Sequence, residues 1–241
     1  MTVKEHYDDH LGNFYSWMKG DFKVRQQEFQ DFLRANNIIS GSTKVAIDLG
    51  CGNGIQSVAL AKTGFEVIAI DFNKQLLSEL DVNRRHLPIT IIEDDIQTVK
   101  KLGYASPELI VCWGDTLTHF ESSDQVSQLI ADCSSILKAN GKLILSFRDY
   151  SVPLEGDRRF IPVKSDETKI LTCCLDYEQE RVRVTDILNY KTEKGWIQKV
   201  SSYFKVRLLP KVVESIILQN EMSIKFNGIL SRMKTIIAIK K

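Results

Sequence analysis

A surplus of either charge is what this chain most plainly lacks. Its 241 residues carry 32 Lys and Arg against 31 Asp and Glu, a formal net charge of +1, so no electrostatic footprint for a nucleic-acid backbone is present. Cysteine pairing is missing too. Cys51, Cys112, Cys133, Cys173 and Cys174 include no C-x-x-C spacing, which argues against a disulfide framework and a zinc site. No run approaches the ~20 apolar residues that span a bilayer, and the opening "MTVKEHYDDH" has no apolar targeting core. Repeats and low-complexity linkers are absent. The expectation is a soluble, cytoplasmic protein, a monomer or homodimer, with neither nucleic acid nor membrane as partner. Hydrophobic residues, by contrast, make up 43% of the chain, enough for the core of one or two domains.

Those residues alternate in period. "DFKVRQQEFQDFLRAN" puts Phe22, Phe29, Phe32 and Leu33 on roughly one helical face. The short apolar runs "KVAIDLG", "FEVIAIDF", "ITIIEDD", "LIVCWGD" and "KLILSF" predict strands, and the amphipathic stretches "IQSVALAKTG", "NKQLLSELDVNRR" and "SSDQVSQLIADCSSILKANG" predict helices between most of them. Continuous apolar strands alternating with helices imply an α/β fold around a mostly parallel sheet covered on both faces. After residue 150 the rhythm changes: "RFIPVKS", "KILTCCLDYE", "RVRVTDILNYKT" and "WIQKVSSYFKVRLL" are strand-like runs separated by polar turns. We expect an N-terminal helical and aromatic segment over 1–40, an α/β core over 41–150, an inserted antiparallel β subdomain over 151–209 and a return to the core over 210–241.

The strongest local signal is "VAIDLGCGNG". Gly50, Gly52 and Gly54 fall between a strand and a helix, where bare backbone and free N–H groups admit a ligand. Asp71, at the tip of the next strand, is placed to accept hydrogen bonds from ribose hydroxyls. The glycines form G-x-G-x-G rather than the dinucleotide G-x-G-x-x-G. Consecutive strand-tip carboxylates (Asp48, Asp71, and Asp94 or Asp95) make a poor cradle for a pyrophosphate. They suit a ligand with sugar hydroxyls and a cationic amine, as S-adenosylmethionine has.

With those motifs in hand, the chain resembles the class I S-adenosylmethionine-dependent methyltransferases. The resemblance implies a Rossmann-like, seven-stranded fold and S-adenosyl-L-methionine as cofactor. "IDLGCGNG" looks like the first family motif, contributing Asp48, Gly50, Cys51, Gly52 and Gly54; "VIAIDFN" looks like the ribose-binding motif, contributing Asp71 and Phe72. "IIEDDI" resembles the strand that flanks the adenine, with Asp94, Asp95 and Ile96, and "LIVCWGDTLTHF" the fourth motif, with Cys112, Trp113 and Gly114.

"WGDTLTHF" and "FRDYS" further resemble the glycine and sarcosine N-methyltransferases. That likeness implies Arg148 as a carboxylate anchor, Asp115 and His119 beside the methyl acceptor, and Thr116 and Tyr150 near it. Asp115, Phe147 and Asp149 depart from the family pattern, and the two extra carboxylates favour a more cationic or hydroxylated acceptor. Tyr7, Tyr15 and Trp17 are expected on the inner face of an N-terminal cover. A small-molecule methyl acceptor follows, an amine carrying a carboxylate or an acceptor methylated on oxygen. A non-catalytic cofactor binder and an NAD-type oxidoreductase stay open as alternatives; Arg148 has a structural reading as an ion pair with Asp149 or Asp157.

Overall fold

The computed structural model describes residues 1–103 and 106–241. Five parallel strands form the centre of the molecule: β1 (Val45–Leu49), β2 (Glu66–Asp71), β3 (Ile89–Glu93), β4 (Leu109–Cys112) and β5 (Lys142–Phe147). Two further strands, β10 (Met222–Leu230) and β11 (Met233–Lys240), extend the sheet antiparallel, giving the order β10-β11-β5-β4-β1-β2-β3.

Both faces of β1, β2, β4 and β5 are covered, which is why these strands lack hydrophobic alternation, whereas β10 at the sheet edge alternates with exposed residues. Ile47, Leu49, Ile68, Ile70 and Ile110 pack with α6 (Ser123–Ile136) and α7 (Pro210–Gln219). Ala46, Val67, Ala69 and Val111 pack on the other side with α3 (Phe22–Ala35), α4 (Ile55–Lys62) and α5 (Lys74–Arg84). The helix starts follow local chemistry. Asp21, Asn73 and Ser122 accept from backbone N–H groups as N-caps, and Pro210 begins α7.

Strand order reverses between β1 and β4, so the loops after these strands diverge and open a crevice at their C-terminal ends. Two covers meet over it. One is a four-stranded antiparallel sheet of β6 (Phe160–Ser165), β7 (Lys169–Tyr177), β8 (Arg181–Thr192) and β9 (Gly195–Val206), paired in chain order. The other is α1 (Val3–Asp9), which Thr2 and Glu5 start with a reciprocal capping box, followed by a 3-10 turn and the short α2 (Tyr15–Lys19). The covers are tied together by His6. It is fully buried, stacks on Tyr203 at 4.1 Å between ring centroids, and bonds Ser201 Oγ at 2.7 Å and Asp186 Oδ2 at 3.2 Å. No helix among the described residues is long and apolar enough to cross a membrane.

Candidate active site

The crevice holds a cavity of about 880 Å³. Its lining brings Gly50, Gly52, Asp71, Phe72, Asp94, Asp95 and Ile96 together with Tyr7, Tyr15, Thr116, His119 and Lys205. These sequence-predicted residues, with Lys205 added, are therefore neighbours in space. Asp71 is buried, with Oδ2 accepting from Gly52 N–H at 2.8 Å and Oδ1 from Asn73 N–H at 2.9 Å. Each oxygen keeps a further lone pair for a ligand hydroxyl. Phe72 meets Tyr7 edge to face at 5.7 Å, and both rings line the cavity. Asp95 caps the 3-10 turn that begins at Ile96, accepting from Gln97 N–H.

Two of the loop glycines are required by the packing of the protein itself. A Cβ at Gly54, where φ is +89°, would stand 2.1 Å from Leu80 Cδ1, and one at Gly50, where φ is +70°, 2.5 Å from Thr116 Cγ2. Close approach of α5 and of the 116–119 turn requires both. Gly52 faces the cavity, beside the Tyr15 hydroxyl.

Several expected site residues lie outside the cavity lining. Asp48 is buried behind the loop and accepts from Ser57 Oγ at 2.6 Å; burial pushes its pKa up to about 7. Cys51 and Cys112 are core side chains, and burial pushes both thiols up. Trp113 turns away to pack against Phe29 and Phe32, at 4.8 and 5.1 Å between ring centroids, because the apolar stripe of α3 passes there. Gly114 leaves the space beside Lys19, whose Nζ would be 3.9 Å from a Cβ at that position. Trp17 pins α2 to the second sheet, donating to Asp166 beneath the ammonium groups of Lys164 and Lys169.

Asp115 also differs from the expectation. Its carboxylate accepts from Arg148 N–H at 2.8 Å and Tyr150 Oη at 3.1 Å, and it makes an ion pair with Lys205. Burial alone would raise its pKa, but Lys205, His119 and the hydrogen bonds outweigh this and hold it below the usual range. Arg148 pairs through Nε with the same carboxylate at 3.6 Å, rather than with Asp149 or Asp157. Asp149 accepts from Ser151 N–H within its own turn and is exposed. Of the two extra carboxylates, Asp115 is thus already engaged within the protein.

His119 lines the cavity between Tyr7 and Tyr203, with ring centroids 5.6 and 5.9 Å away, and no hydrogen bond reaches its ring among the described residues. Burial first, and Lys205 second, push its pKa down to about 3. The imidazole is therefore neutral at physiological pH. An NMR titration should show no His119 inflection between about pH 5 and 8. The sign for stability follows from the depressed folded value. The unfolded chain takes the proton first, at about pH 6.5, so His119 removes stability progressively as pH falls from there towards about 3. An inflection near neutrality would show that the ring is solvated.

Lys205 was not legible as a site residue, although it interrupts the apolar run "YFKVRLL". In β9 it follows the inward period of Ser201 and Tyr203, all three being buried.

The comparisons agree with this geometry. The S-adenosylmethionine-bound amino pentose methyltransferase CalS10 of Micromonospora echinaspora superposes over 93% of this chain and 94% of its own, with a TM-score of 0.75 and 14% identity. Architecture and crevice thus define a class I methyltransferase fold. Within it, residues 46–141 match the family described as "Methyltransferase domain". The glycine/sarcosine N-methyltransferase of Aphanothece halophytica is 27% identical over 46% of this chain and 43% of its own length. The human glycine N-methyltransferase is 28% identical over 64% and 58%. The chain therefore spans about half the length of these curated relatives.

Proposed function

We propose that this protein is an S-adenosylmethionine-dependent methyltransferase that N-methylates a small amine carrying a carboxylate. The observation that carries the reading is the cavity whose lining joins Gly52, Asp71 and Asp95 to Tyr15, His119 and Lys205. Asp71 would hold the ribose hydroxyls, Phe72 and Ile96 the adenine faces, and Asp95 the exocyclic amine. The cofactor, when bound, supplies a methyl group on a positively charged sulfur. The remaining work is alignment and exclusion of water, for which Tyr7, Tyr15 and the two covers are placed. The buried tyrosines stay protonated, because desolvation pushes their pKa values up. With its pKa near 3, His119 is too weak a base to draw a proton from an ammonium. It acts as a neutral hydrogen-bond acceptor that orients the nucleophile. The likeness to the glycine and sarcosine enzymes supports an amino-acid-like acceptor, and Arg148 is its anchor.

Arg148→Lys tests that assignment. It keeps the charge and removes the planar fork that binds a carboxylate bidentately. Turnover should fall by at least about tenfold, the effect of losing one charge-assisted hydrogen bond, while S-adenosylhomocysteine binds within about twofold. Equal turnover with a melting temperature lowered slightly would make Arg148 structural; its guanidinium is about half exposed, so its pair with Asp115 contributes at most about 1 kcal/mol.

A further inference from the structure

Three cations gather at the turn containing Gly114 and Asp115, and one carboxylate answers them. Asp115 is occupied by Lys205, the Tyr150 hydroxyl and the Arg148 backbone N–H. Arg148 touches it only through Nε, and its two terminal nitrogens make no hydrogen bond or ion pair among the described residues. Lys19, the last residue of α2, reaches the same turn from the N-terminal cover. Its Nζ lies 5.4 Å from the centre of the Tyr15 ring and 3.9 Å from the Cβ position of Gly114. No hydrogen bond or ion pair reaches that Nζ among the described residues.

The surroundings of Lys19 are unbalanced in one direction. The charged groups that face it are Asp115, Arg148, Arg25 and Lys205, and Arg25 already pairs with Glu28 at 2.9 Å. Burial, then these positive neighbours against Asp115, lower the Lys19 pKa to about 8. An ammonium withdrawn from water without a paired anion is costly. An incoming anion would offset that cost and neutralise the free edge of Arg148 as well.

We propose that Lys19 determines acceptor specificity: with the free edge of Arg148 it forms a two-cation subsite at the Gly114–Asp115 turn for the carboxylate of the methyl acceptor. This rests on the methyltransferase reading above and adds a residue to it. It also gives the N-terminal cover a task, because the segment that closes the cavity brings one of the two cations. An acceptor lacking the anion would leave Lys19 unpaired on closure.

Reductive ¹³C-methylation of the lysines followed by NMR tests this without knowledge of the acceptor. Lys19→Met identifies the Lys19 resonance by its absence. In free and S-adenosylhomocysteine-loaded protein, acetate at tens of millimolar should shift that resonance and raise its titration midpoint, whereas neutral acetamide should not. Sarcosine and dimethylamine form a second pair that differs by the carboxylate, and only sarcosine should act. Lys19→Met should weaken the response of the remaining site to acetate by about tenfold, and Lys19→Arg should restore it. A resonance indifferent to acetate, or equally moved by acetamide, would overturn the proposal and make Lys19 a residue that only completes the end of α2. Loss of S-adenosylhomocysteine binding by the unsubstituted protein would instead overturn the methyltransferase reading, so the two failures are distinguishable.

Discussion

Asp71→Ala is expected to lower affinity for S-adenosylhomocysteine by at least about tenfold. A charge-assisted hydrogen bond contributes about 1.5–3 kcal/mol, two ribose hydroxyls are in question, and each factor of ten corresponds to about 1.4 kcal/mol. The carboxylate also holds the glycine loop, since Oδ2 accepts from Gly52 N–H. Removing it leaves that N–H unsatisfied, so some thermal stability should go with the affinity. Asp71→Asn separates the effects. It keeps an oxygen for one backbone N–H and loses the charge, so the melting temperature should recover more than the affinity does. Thermal shift with and without ligand reads both. Unchanged affinity in a folded Asp71→Ala protein would remove Asp71 from the binding site.

The second large effect concerns folding. Lys205 is 7% exposed, and the side chain of its partner Asp115 is 11% exposed. Removing one member of a buried pair leaves an uncompensated charge and typically costs about 3–5 kcal/mol. Asp115→Ala should therefore destabilise the protein by that amount in urea or thermal unfolding, and also free Tyr150 Oη. Asp115→Leu combined with Lys205→Met should recover most of the loss, because the desolvation cost disappears together with the attraction. The pH dependence has a definite sign. The folded pKa of Asp115 is depressed, so its contribution is complete above the unfolded value of about 3.9 and is lost as pH falls through the folded one. A double variant no more stable than Asp115→Ala alone would show that something other than the charge pair holds this region.

The central strands β1, β2, β4 and β5 were legible because they are buried on both faces. A short continuous apolar run between helical patterns has few other interpretations. The antiparallel sheet was legible as strands from its polar turns, but its inward side was not. Lys205 reads as a surface lysine unless the position of Asp115 is known, and the two are 90 residues apart. A separation of 33 residues likewise hid the partner of Arg148. Local motifs placed Gly52, Asp71, Phe72 and Asp95 at the cavity, since strand tips and strand-to-helix turns define their own direction. Trp113 was misplaced because an indole just after a strand can turn either way, and the stripe of Phe29 and Phe32 on α3 decided it. Lys19 gave no signal at all. Its environment is assembled from α2, the turn after β4, the end of β5 and β9.

Calorimetric titration of the purified protein with S-adenosylhomocysteine, with NAD titrated in parallel, tests the central claim most directly. Saturable one-site binding of S-adenosylhomocysteine and no heat from NAD is the predicted result. Binding of NAD, or of neither compound, would contradict the account.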